Sequence, residues 1–215
     1  MIAEVKRRSP SKGEIAAASA AGTQAVAFAG GGASAISVLT EPAHFGGSAE
    51  DLEAVRARVA IPVLKKDFHL DPLQVLEARA LGASGLLLIA RALEPARLAE
   101  LVQAALECGV EPLVEIRDEE ELARAIDAGA RIVGVNNRNL ESLEIDATTA
   151  ERLVPLIPPD RIAVAESGIE SRADVERYAR TGADAVLVGS FISAASDPVA
   201  AVRGLASVPR SDRAG

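Results

Sequence analysis

The sequence predicts a single (β/α)8 TIM barrel of the α/β class, and two observations support this prediction. The first is a repeated signal in which a helical segment is followed by Gly, one residue and a short apolar run; it occurs as GGASAISVL (31–39), LGASGLLLI (81–89), AGARIVGV (128–135) and TGADAVLVG (181–189). Glycine just past a helix end adopts the left-handed conformation at little steric cost. The second is that these runs are continuously apolar, which is typical of parallel strands buried on both faces.

Four further segments bring the predicted number of strands to eight. They are IAEVK (2–6) at the start, IPVLKK (61–66), a looser form of the signal in CGVEPLVEI (108–116), and RIAVAES (161–167). The predicted strands begin near residues 2, 34, 61, 84, 111, 131, 161 and 184. Eight strand–helix units in 215 residues fit a (β/α)8 barrel at the short end of its usual range. A doubly wound open sheet, whose commoner forms have roughly five to seven strands, is the alternative.

Amphipathic, Ala-rich segments lie between the predicted strands and predict the helices. Several begin with a Ser or Asp N-cap or an early Pro. Examples are residues 48–59, 71–81, 94–107 and 118–128. No change in composition and no linker divides the chain. We therefore predict one barrel domain over residues 1–207 and a frayed C-terminal tail over 208–215.

The composition excludes several classes of protein. A net charge of −8 argues against broad contacts with a phosphate backbone, and an aromatic share of 2% argues against base stacking. One Cys and two His leave no intramolecular disulfide and make a Cys-cluster or multi-His metal site improbable. The charged N-terminus has no apolar run behind it, and no apolar stretch approaches the ~20 residues of a membrane span. We expect a cytoplasmic monomer that binds neither nucleic acid nor a membrane.

Polar side chains follow six of the predicted strands, at the end where barrel enzymes carry their chemistry. They are Glu4, Lys6, Lys66, Asp67, Glu115, Asn136, Arg138, Glu166, Ser167 and Ser190. Glu4 and Lys6 are two residues apart, so both point to one face of the first strand. Any one of these residues alone could equally be a solvated side chain. Burying all of them without a function would cost several kcal/mol per unpaired ion, so a converging site is favoured.

Small residues follow the last two predicted strands, in ESGI (166–169) and VGS (188–190). Barrel enzymes build phosphate sites from the loops after strands 7 and 8 and a short helix N-terminus. Each motif alone is weak, because glycine often serves only the turn. Because the two motifs follow the last two of the eight predicted strands, together they indicate a phosphate site. The loop SPSKG (9–13) adds small residues after the first strand.

These motifs resemble those of the indole-3-glycerol phosphate synthase family of tryptophan biosynthesis. The matching segments span nearly the whole chain: IAEVKRRSPSKG (2–13), ISVLTEPAHFGGS (36–48), PVLKKDFHLDPLQVLEARALGASGLLLI (62–89), LVEI (113–116), GVNNRNLESLEID (134–146), VAESGI (164–169) and DAVLVGS (184–190). The resemblance implies a lyase that closes the ring of 1-(2-carboxyphenylamino)-1-deoxyribulose 5-phosphate, with loss of CO₂ and water. It implies no metal and no organic cofactor.

The resemblance also implies roles for individual residues. Lys66 matches the general acid that protonates the ribulose C2 oxygen, and Glu115 matches the second acid–base residue. Glu4 and Lys6 match a pair that binds substrate and transfers protons. We expect burial and the neighbouring Lys6 to lower the pKa of Lys66.

The remaining matches are to positions that bind substrate. Asn136 and Arg138 match positions near the carboxylate and hydroxyls, Ser167 and Glu166 match positions after the seventh strand, Phe45 and Phe68 match positions beside the anthranilate ring, and Lys6, Ser9, Gly168, Gly189 and Ser190 match the phosphate-contacting set. We assign Asn136 and Ser167 to the catalytic group.

Four other residues have plainer interpretations. His44 and His69 are expected to be solvated loop residues. Cys108 is interpreted as a small apolar residue at a helix end. Asp67 is expected to fix the loop after Lys66, through an ion pair with a neighbouring cation.

Three alternatives remain open. Phosphoribosylanthranilate isomerase is another phosphosugar barrel, but its Cys base and Asp acid would fall where this chain has Lys6 and Asn136. A Schiff-base lyase that uses Lys66 is a second alternative. The third is a catalytically weakened or non-catalytic barrel that binds a phosphorylated ligand. Family members usually carry an N-terminal helical extension, whereas the first predicted strand begins at residue 2 here; we expect a more open ring-side pocket.

Overall fold

Eight parallel strands close into a barrel in the computed structural model, which describes residues 1–9, 13–14 and 20–211. The strands are β1 (Ile2–Val5), β2 (Ala35–Leu39), β3 (Val63–Lys66), β4 (Gly85–Ile89), β5 (Glu111–Ile116), β6 (Ile132–Asn136), β7 (Ile162–Glu166) and β8 (Ala185–Val188). Their order around the barrel follows the chain, and β8 pairs with β1 to close it. The predicted fold is confirmed, and each strand begins within two residues of its expected start.

Helices cover the outside of the barrel. They are α1 (Ala21–Gly30), α2 (Pro42–Phe45), α3 (Ala49–Arg56), α4 (Pro72–Ala80), α5 (Pro95–Glu107), α6 (Glu119–Asp127), α7 (Thr148–Leu153), α8 (Arg172–Arg180), α9 (Ser190–Ser193) and α10 (Pro198–Ala206). Short 3-10 turns cover Ala90–Ala92 and Val154–Leu156, and Arg8–Ser9 pairs antiparallel with Gly13–Glu14 after β1.

Side-chain caps begin three of the four helices named in the sequence analysis, and the fourth, α5, begins with Pro95 and no side-chain cap. The hydroxyl of Ser48 accepts from the backbone N–H of Asp51 at the start of α3. Asp71 forms a capping box with Gln74 at the start of α4, and Asp118 caps α6 in the same way as Ser48 caps α3. Each such cap stabilises its helix by about 1 kcal/mol. The caps therefore fix where the chain leaves each loop at the mouth of the barrel.

The strands are apolar on both faces because both faces are buried. Outward side chains such as Leu86 and Val133 are 0% exposed and pack beneath the helices. Inward side chains, among them Leu64, Leu113 and Val164, form a separate apolar cluster inside the barrel. Side chains two residues further along a strand point to the same face. The inner cluster is therefore the floor beneath Lys66, Glu115 and Glu166, which follow those three residues at that spacing.

The C-terminal segment begins where α10 ends, at Ala206. Arg210 donates to a carboxylate oxygen of Asp184 at 2.8 Å. Residues 212–215 of the predicted tail lie outside the described residues, and the division at 207 stays a prediction. Among the helices of the described residues, none is long and apolar enough to cross a membrane.

Candidate active site

The polar side chains at the carboxyl ends of the strands surround one pocket of about 770 Å³. Most of the predicted site residues line it: Glu4, Lys6, Phe45, Lys66, Phe68, Glu115, Asn136, Arg138, Ser167 and Ser190. An adjoining pocket of about 500 Å³ brings in Gly168 and Gly189. Glu166 lies against Lys66 on the floor. The side chain of Ser9 lies outside the part of the chain that the structure describes.

Glu4 lies between the two lysines of the site. Its Oε1 is 2.6 Å from the Nζ of Lys6, and its Oε2 is 3.0 Å from the Nζ of Lys66. The Nζ of Lys66 is also 3.4 Å from Oε2 of Glu166. Burial alone would raise the pKa of Glu4, but the ammonium groups of Lys6 and Lys66 outweigh it and lower this pKa to about 2. Glu4 is therefore ionised at neutral pH on the pocket floor.

Lys66 stays charged, which corrects the expectation that its pKa is lowered. Burial does act to lower the pKa of Lys66, but the carboxylates of Glu4, Glu166 and Glu115 outweigh burial and raise it. Lys6 does not act as expected because its ammonium group is paired with Glu4. The side chain of Lys66 is therefore charged at neutral pH in the free site.

The pKa values of Glu166 and Glu115 are raised, whereas that of Glu4 is lowered. Burial raises the pKa of Glu166 to about 7; the cation of Lys66 opposes this, and the carboxylates of Glu115 and Glu4 add to it. Burial also raises the pKa of Glu115, against Lys66 and a hydrogen bond from Asn136. Like charges around one cation cannot all ionise at their ordinary pKa. The floor can therefore hold a proton near neutral pH.

Two glycines leave room for these carboxylates. A Cβ on Gly134 of β6 would collide with Oε1 of Glu166. A Cβ on Gly189, just after β8, would lie 2.5 Å from Oε1 of Glu4. Since real Cβ atoms do not approach so closely, any larger residue here would displace a carboxylate. Gly189 is predicted from the sequence to contact phosphate, whereas Gly134 was not predicted to have a role in the site.

The loop after β6 carries Asn136 and Arg138. Oδ1 of Asn136 accepts from the backbone N–H of Arg138 at 2.9 Å, and the guanidinium of Arg138 donates to the carbonyl of Leu143 at 2.7 Å. Leu143 has a φ of +63°, and Arg138 forms an isolated bridge with Ile145. These bonds hold the loop as a folded flap beside the pocket.

The turn after β7 combines two left-handed residues. Ser167 has a φ of +67° and Gly168 a φ of +73°. A non-glycine residue in this region costs about 1 kcal/mol or more, so the surrounding structure must hold it there. Gly168 also lies close to Ile145, since a Cβ here would be 2.7 Å from Cγ2 of that residue. The turn is therefore packed against the loop after β6.

Apolar side chains form one wall of the pocket, and only Phe45 and Phe68 among them were predicted from the sequence. Phe68 is 41% exposed, and Phe45 ends α2, whose N-terminal N–H groups donate to the carboxylate of Glu41. The apolar residues missed were Leu39, Leu87, Ile89, Leu140 and Leu143, and the acidic residue Glu41 was missed as well. The alternation of inward and outward residues in β2 and β4 could have identified Leu39, Leu87 and Ile89.

His69 is buried, so the expectation that it is a solvated loop residue is wrong. It is 2% exposed; Nδ1 is 2.7 Å from the carbonyl of Leu87, and Nε2 is 3.5 Å from the Nζ of Lys65. Burial and the ammonium group of Lys65 lower the pKa of His69 to about 4. A neutral ring therefore donates to the carbonyl through Nδ1. The sequence alone does not distinguish a solvated loop residue from a residue in a loop that folds back over a strand.

The other plain interpretations are supported. Oδ2 of Asp67 accepts from the hydroxyl of Thr40 at 2.6 Å and lies 3.3 Å from the Nζ of Lys65, so the carboxylate fixes the loop as expected. His44 is exposed, within α2. Cys108 is the C-cap residue of α5 and packs against the core.

No group of three or more His, Cys, Asp or Glu suited to a metal ion occurs among residues 1–9, 13–14 and 20–211.

The chain is similar to known proteins over almost all of its length. The family model for indole-3-glycerol phosphate synthase matches residues 1–205. An indole-3-glycerol phosphate synthase of Streptomyces griseus is 53% identical over 205 residues, which are 95% of this chain and 76% of that protein. One from a Nocardioides species is 52% identical over 208 residues, which are 97% of this chain and 80% of that protein.

Two solved structures share the fold at low identity. The 3-hexulose-6-phosphate synthase of Salmonella typhimurium superposes with a TM-score of 0.76 at 16% identity, over 95% of each chain. The thiamine phosphate pyrophosphorylase of Pyrococcus furiosus gives 0.70 at 18% identity, over 95% of this chain and 91% of that one. These two likenesses bear on the fold alone. The family model and the two relatives, in contrast, match almost the whole chain in sequence. This chain therefore belongs to the indole-3-glycerol phosphate synthase family.

Proposed function

We propose that this chain is a carbon–carbon lyase that converts 1-(2-carboxyphenylamino)-1-deoxyribulose 5-phosphate into indole-3-glycerol phosphate, CO₂ and water. The observation that carries the proposal is the floor of the pocket, where one ammonium group, Lys66, is held among the buried carboxyl groups of Glu4, Glu115 and Glu166. This arrangement supplies a cation for a developing oxyanion and carboxyl groups that can hold a proton near neutral pH. Both are needed for a condensation that ends in dehydration.

Ring closure comes first. The aromatic carbon that bears the carboxylate attacks the C2 carbonyl, a carbon–carbon bond forms, and the carbonyl π electrons move to oxygen. Lys66 donates a hydrogen bond and then a proton to that oxygen. The raised pKa of Lys66 keeps the donor charged at neutral pH, so its ammonium group stabilises the negative charge that develops on this oxygen.

Decarboxylation follows and restores the aromatic ring. The electron pair of the bond to the carboxylate returns to the ring, and CO₂ leaves. Departure of a charged group as a neutral molecule is easier in apolar surroundings. The apolar wall that includes Leu87 and Ile89 supplies such surroundings, and Phe45 and Phe68 are placed to hold the ring. Arg138 and Asn136 lie on the same pocket and are assigned to the carboxylate and the hydroxyls.

Dehydration completes the indole. Glu115, whose pKa is raised by burial, protonates the C2 hydroxyl, which leaves as water. A proton leaves C1 to the Glu4–Lys6 pair, and the double bond of the indole forms. One proton is taken up overall, because a carboxylate has become neutral CO₂. Ser167 and Glu166 are assigned to binding and orienting the ribulose hydroxyls beside Lys66.

The phosphate is proposed to lie in the smaller adjoining pocket, at the turns after β7 and β8. Barrel enzymes bind phosphate with backbone N–H groups of these loops. The residues assigned to it are Lys6, Ser9, Gly168, Gly189 and Ser190. Lys6 lines both pockets, so it lies between the proposed phosphate site and the carboxylates of the floor.

The proposal is tested by turnover. Purified protein is incubated with the carboxyphenylamino-deoxyribulose phosphate, and indole fluorescence is followed together with released CO₂. The chain contains no Trp, so indole emission can come only from product. Absence of product would refute the proposal. Treatment with borohydride in the presence of substrate tests the covalent alternative, since an adduct on Lys66 would replace the non-covalent mechanism with a Schiff base.

The wider setting of the reaction is part of the proposal. We assign the chain to the cytoplasm, as a monomer whose single barrel over residues 1–207 takes a small phosphorylated substrate and no nucleic acid. No step needs a metal or an organic cofactor, because Lys66 supplies the positive charge. Sedimentation equilibrium tests the monomer, and turnover in the presence of EDTA tests the independence from metal.

A further inference from the structure

We infer that Asn137 is a positioning residue for phosphate: its side chain holds the peptide between Ser167 and Gly168 and thereby presents the Gly168 N–H to the smaller pocket. The inference deepens the proposed function and rests on it for the identity of the ligand. Asn137 is 0% exposed, so it acts through the turn that it holds.

The Asn137 side chain uses all of its hydrogen-bonding groups. Nδ2 donates to the carbonyl of Ser167 at 3.1 Å and to the hydroxyl of Tyr178 at 2.9 Å, and Oδ1 accepts from the N–H of Ala150 at 2.9 Å. The backbone N–H of Ala150 can donate only to the amide oxygen, and the carbonyl of Ser167 can accept only from the amide nitrogen. These two partners therefore fix the orientation of the Asn137 amide. No other residue type of this size offers two donors and an acceptor in the same place.

The Asn137 backbone joins the same elements. Its N–H donates to the carbonyl of Glu166 at 3.0 Å, and its carbonyl accepts from the N–H of Asp146 at 2.8 Å. Backbone and side chain together connect the end of β6 to the turn after β7, to α7 and to α8. Hydrogen bonds from Asn137 therefore link the loop that carries Arg138 to the turn that carries Gly168.

The bond to the Ser167 carbonyl sets the direction of the next N–H group. The described residues contain no cis peptide bond, and in a trans peptide the C=O and the N–H point in opposite directions. Because the Ser167 carbonyl points to Asn137, the Gly168 N–H points away from it. Gly168 lines the smaller pocket together with Gly189 and Ser190. The amide thus aims a backbone donor at an anion in that pocket.

The bond also explains why the turn keeps an unfavourable conformation. Ser167 and Gly168 have φ values of +67° and +73°. If the Asn137 donor were lost, the peptide could rotate toward a more ordinary conformation, and the Gly168 N–H would turn away from the pocket. The side chain of Asn137 is therefore expected to matter for phosphate affinity more than for the chemical step.

The test compares Asn137→Asp and Asn137→Ser with the unchanged protein. The Asp variant keeps an acceptor for Ala150 but turns a carboxylate oxygen to the Ser167 carbonyl, and the Ser variant is neutral and too short to reach it. The affinity for inorganic phosphate is measured by titration calorimetry, and KM and kcat are measured with substrate. We expect phosphate affinity to weaken and KM to rise by about tenfold in both variants, the worth of one hydrogen bond to a charged group. We expect kcat at saturation to change by less than about threefold.

Two matched controls separate positioning from packing. Asn139→Asp makes the same change two residues later, where Oδ1 only accepts, from the N–H groups of Glu141 and Ser142, and a carboxylate serves equally well. Tyr178→Phe removes the other partner of Asn137 Nδ2 in the core. We expect Asn139→Asp and Tyr178→Phe to keep phosphate affinity, although Tyr178→Phe and Asn137→Ser lose similar thermal stability.

Three results would overturn the inference: unchanged phosphate affinity in both Asn137 variants, a loss confined to the charged Asp variant, or an equal loss in Tyr178→Phe. If the Asp variant does not fold, the Ser variant and the two controls decide the question. Phosphate titration is independent of turnover. If the unchanged protein makes no indole but its phosphate affinity depends on Asn137, the proposed function fails and the inference stands. Normal turnover with normal phosphate binding in the Asn137 variants would defeat the inference alone.

Discussion

Oε2 of Glu4 lies 3.0 Å from the Nζ of Lys66, and Oε1 of the same carboxylate lies 2.6 Å from the Nζ of Lys6. One buried carboxylate thus bridges two ammonium groups on the pocket floor. A carboxylate between two cations attracts both of them and limits the positions that their long side chains can take. The location of the Lys66 ammonium group, on which the proposed ring closure depends, is therefore set by Glu4 as much as by β3.

Lys66→Met is expected to remove ring closure and to leave the barrel folded. Without the ammonium group, the C2 oxyanion has no acid, and kcat should fall by about 10²- to 10⁴-fold. The Lys66 side chain lies in the pocket and not in the apolar layers, so the circular dichroism spectrum should not change. Lys66→Ala should behave in the same way. The measurement is the rate of indole formation at saturating substrate.

The adjacent lysine gives a matched control for that experiment. Lys65 faces outward from β3, where it is 2% exposed and paired with Glu77 of α4 at 3.0 Å and with Asp67 at 3.3 Å. Lys65→Met makes the same substitution outside the pocket, and it should alter thermal stability while changing kcat by less than about threefold. Equal losses of kcat in the two variants would show that the barrel, and not the acid, had been damaged.

Glu166→Gln is expected to change the dependence of stability on pH. The pKa of Glu166 is raised from 4.5 to about 7 on folding, so the folded state binds this proton more tightly than the unfolded state. Its stabilising effect is complete below pH 4.5 and is lost as the pH rises through about 7. The unchanged protein should therefore lose stability between these values, by about 3 kcal/mol. In Glu166→Gln this loss should be smaller, and the variant should be the more stable protein at pH 8.

Glu4→Gln serves as the comparison, because the pKa of Glu4 is shifted in the opposite direction from that of Glu166. The pKa of Glu4 is lowered from 4.5 to about 2, so its stabilising effect is present above pH 4.5 and is lost as the pH falls toward 2. Glu4→Gln should weaken the protein at pH 7 and should flatten the acid side of the stability curve. Thermal unfolding followed from pH 2.5 to pH 9 gives both curves. Identical slopes in Glu166→Gln and the unchanged protein would contradict the raised pKa of Glu166.

Repetition along the chain was enough to predict the barrel. Each Gly-linked apolar run forms a strand buried on both faces, and the order of the eight strands follows from right-handed strand–helix–strand connections. Lys66, Glu115 and Glu166 were predicted at the ends of their strands, where barrel enzymes carry their chemistry. In the structure each lies two residues after a residue of the inner apolar cluster and therefore points inward.

Electrostatics at the site could not be predicted in the same way. Glu166 is 100 residues from Lys66 in the chain, and only closure of the barrel brings the two groups to 3.4 Å. The raised pKa of Lys66 depends on such distant carboxylates, so the expectation based on burial and Lys6 had the wrong sign. The burial of His69 likewise depends on how its loop folds back onto the carbonyl of Leu87. Contacts between distant segments are not encoded in local pattern.

Ser190→Glu is expected to raise KM more than it lowers kcat. Ser190 lines both pockets, and a carboxylate at this position would face the phosphate of the substrate. Repulsion between like charges should raise KM at least about tenfold, which corresponds to about 1.4 kcal/mol. Ser190→Ala is the uncharged comparison and should change KM much less. A normal KM in Ser190→Glu would place the phosphate elsewhere on the barrel.

Gly134→Ala is expected to displace Glu166 from Lys66, because the added Cβ would occupy the position of Oε1 and would lie 2.7 Å from Cδ2 of Leu113. Overpacking of this kind costs about 1–3 kcal/mol of stability, and kcat should fall because the Lys66 ammonium group loses one of its carboxylates. Gly204→Ala on α10 is the matched control, since a Cβ there meets nothing within 4 Å and helix propensity should stabilise the fold by up to about 1 kcal/mol. Urea unfolding and indole formation are measured for both. A folded Gly134→Ala protein with unchanged kcat would mean that the contact between Glu166 and Lys66 does not matter for the reaction.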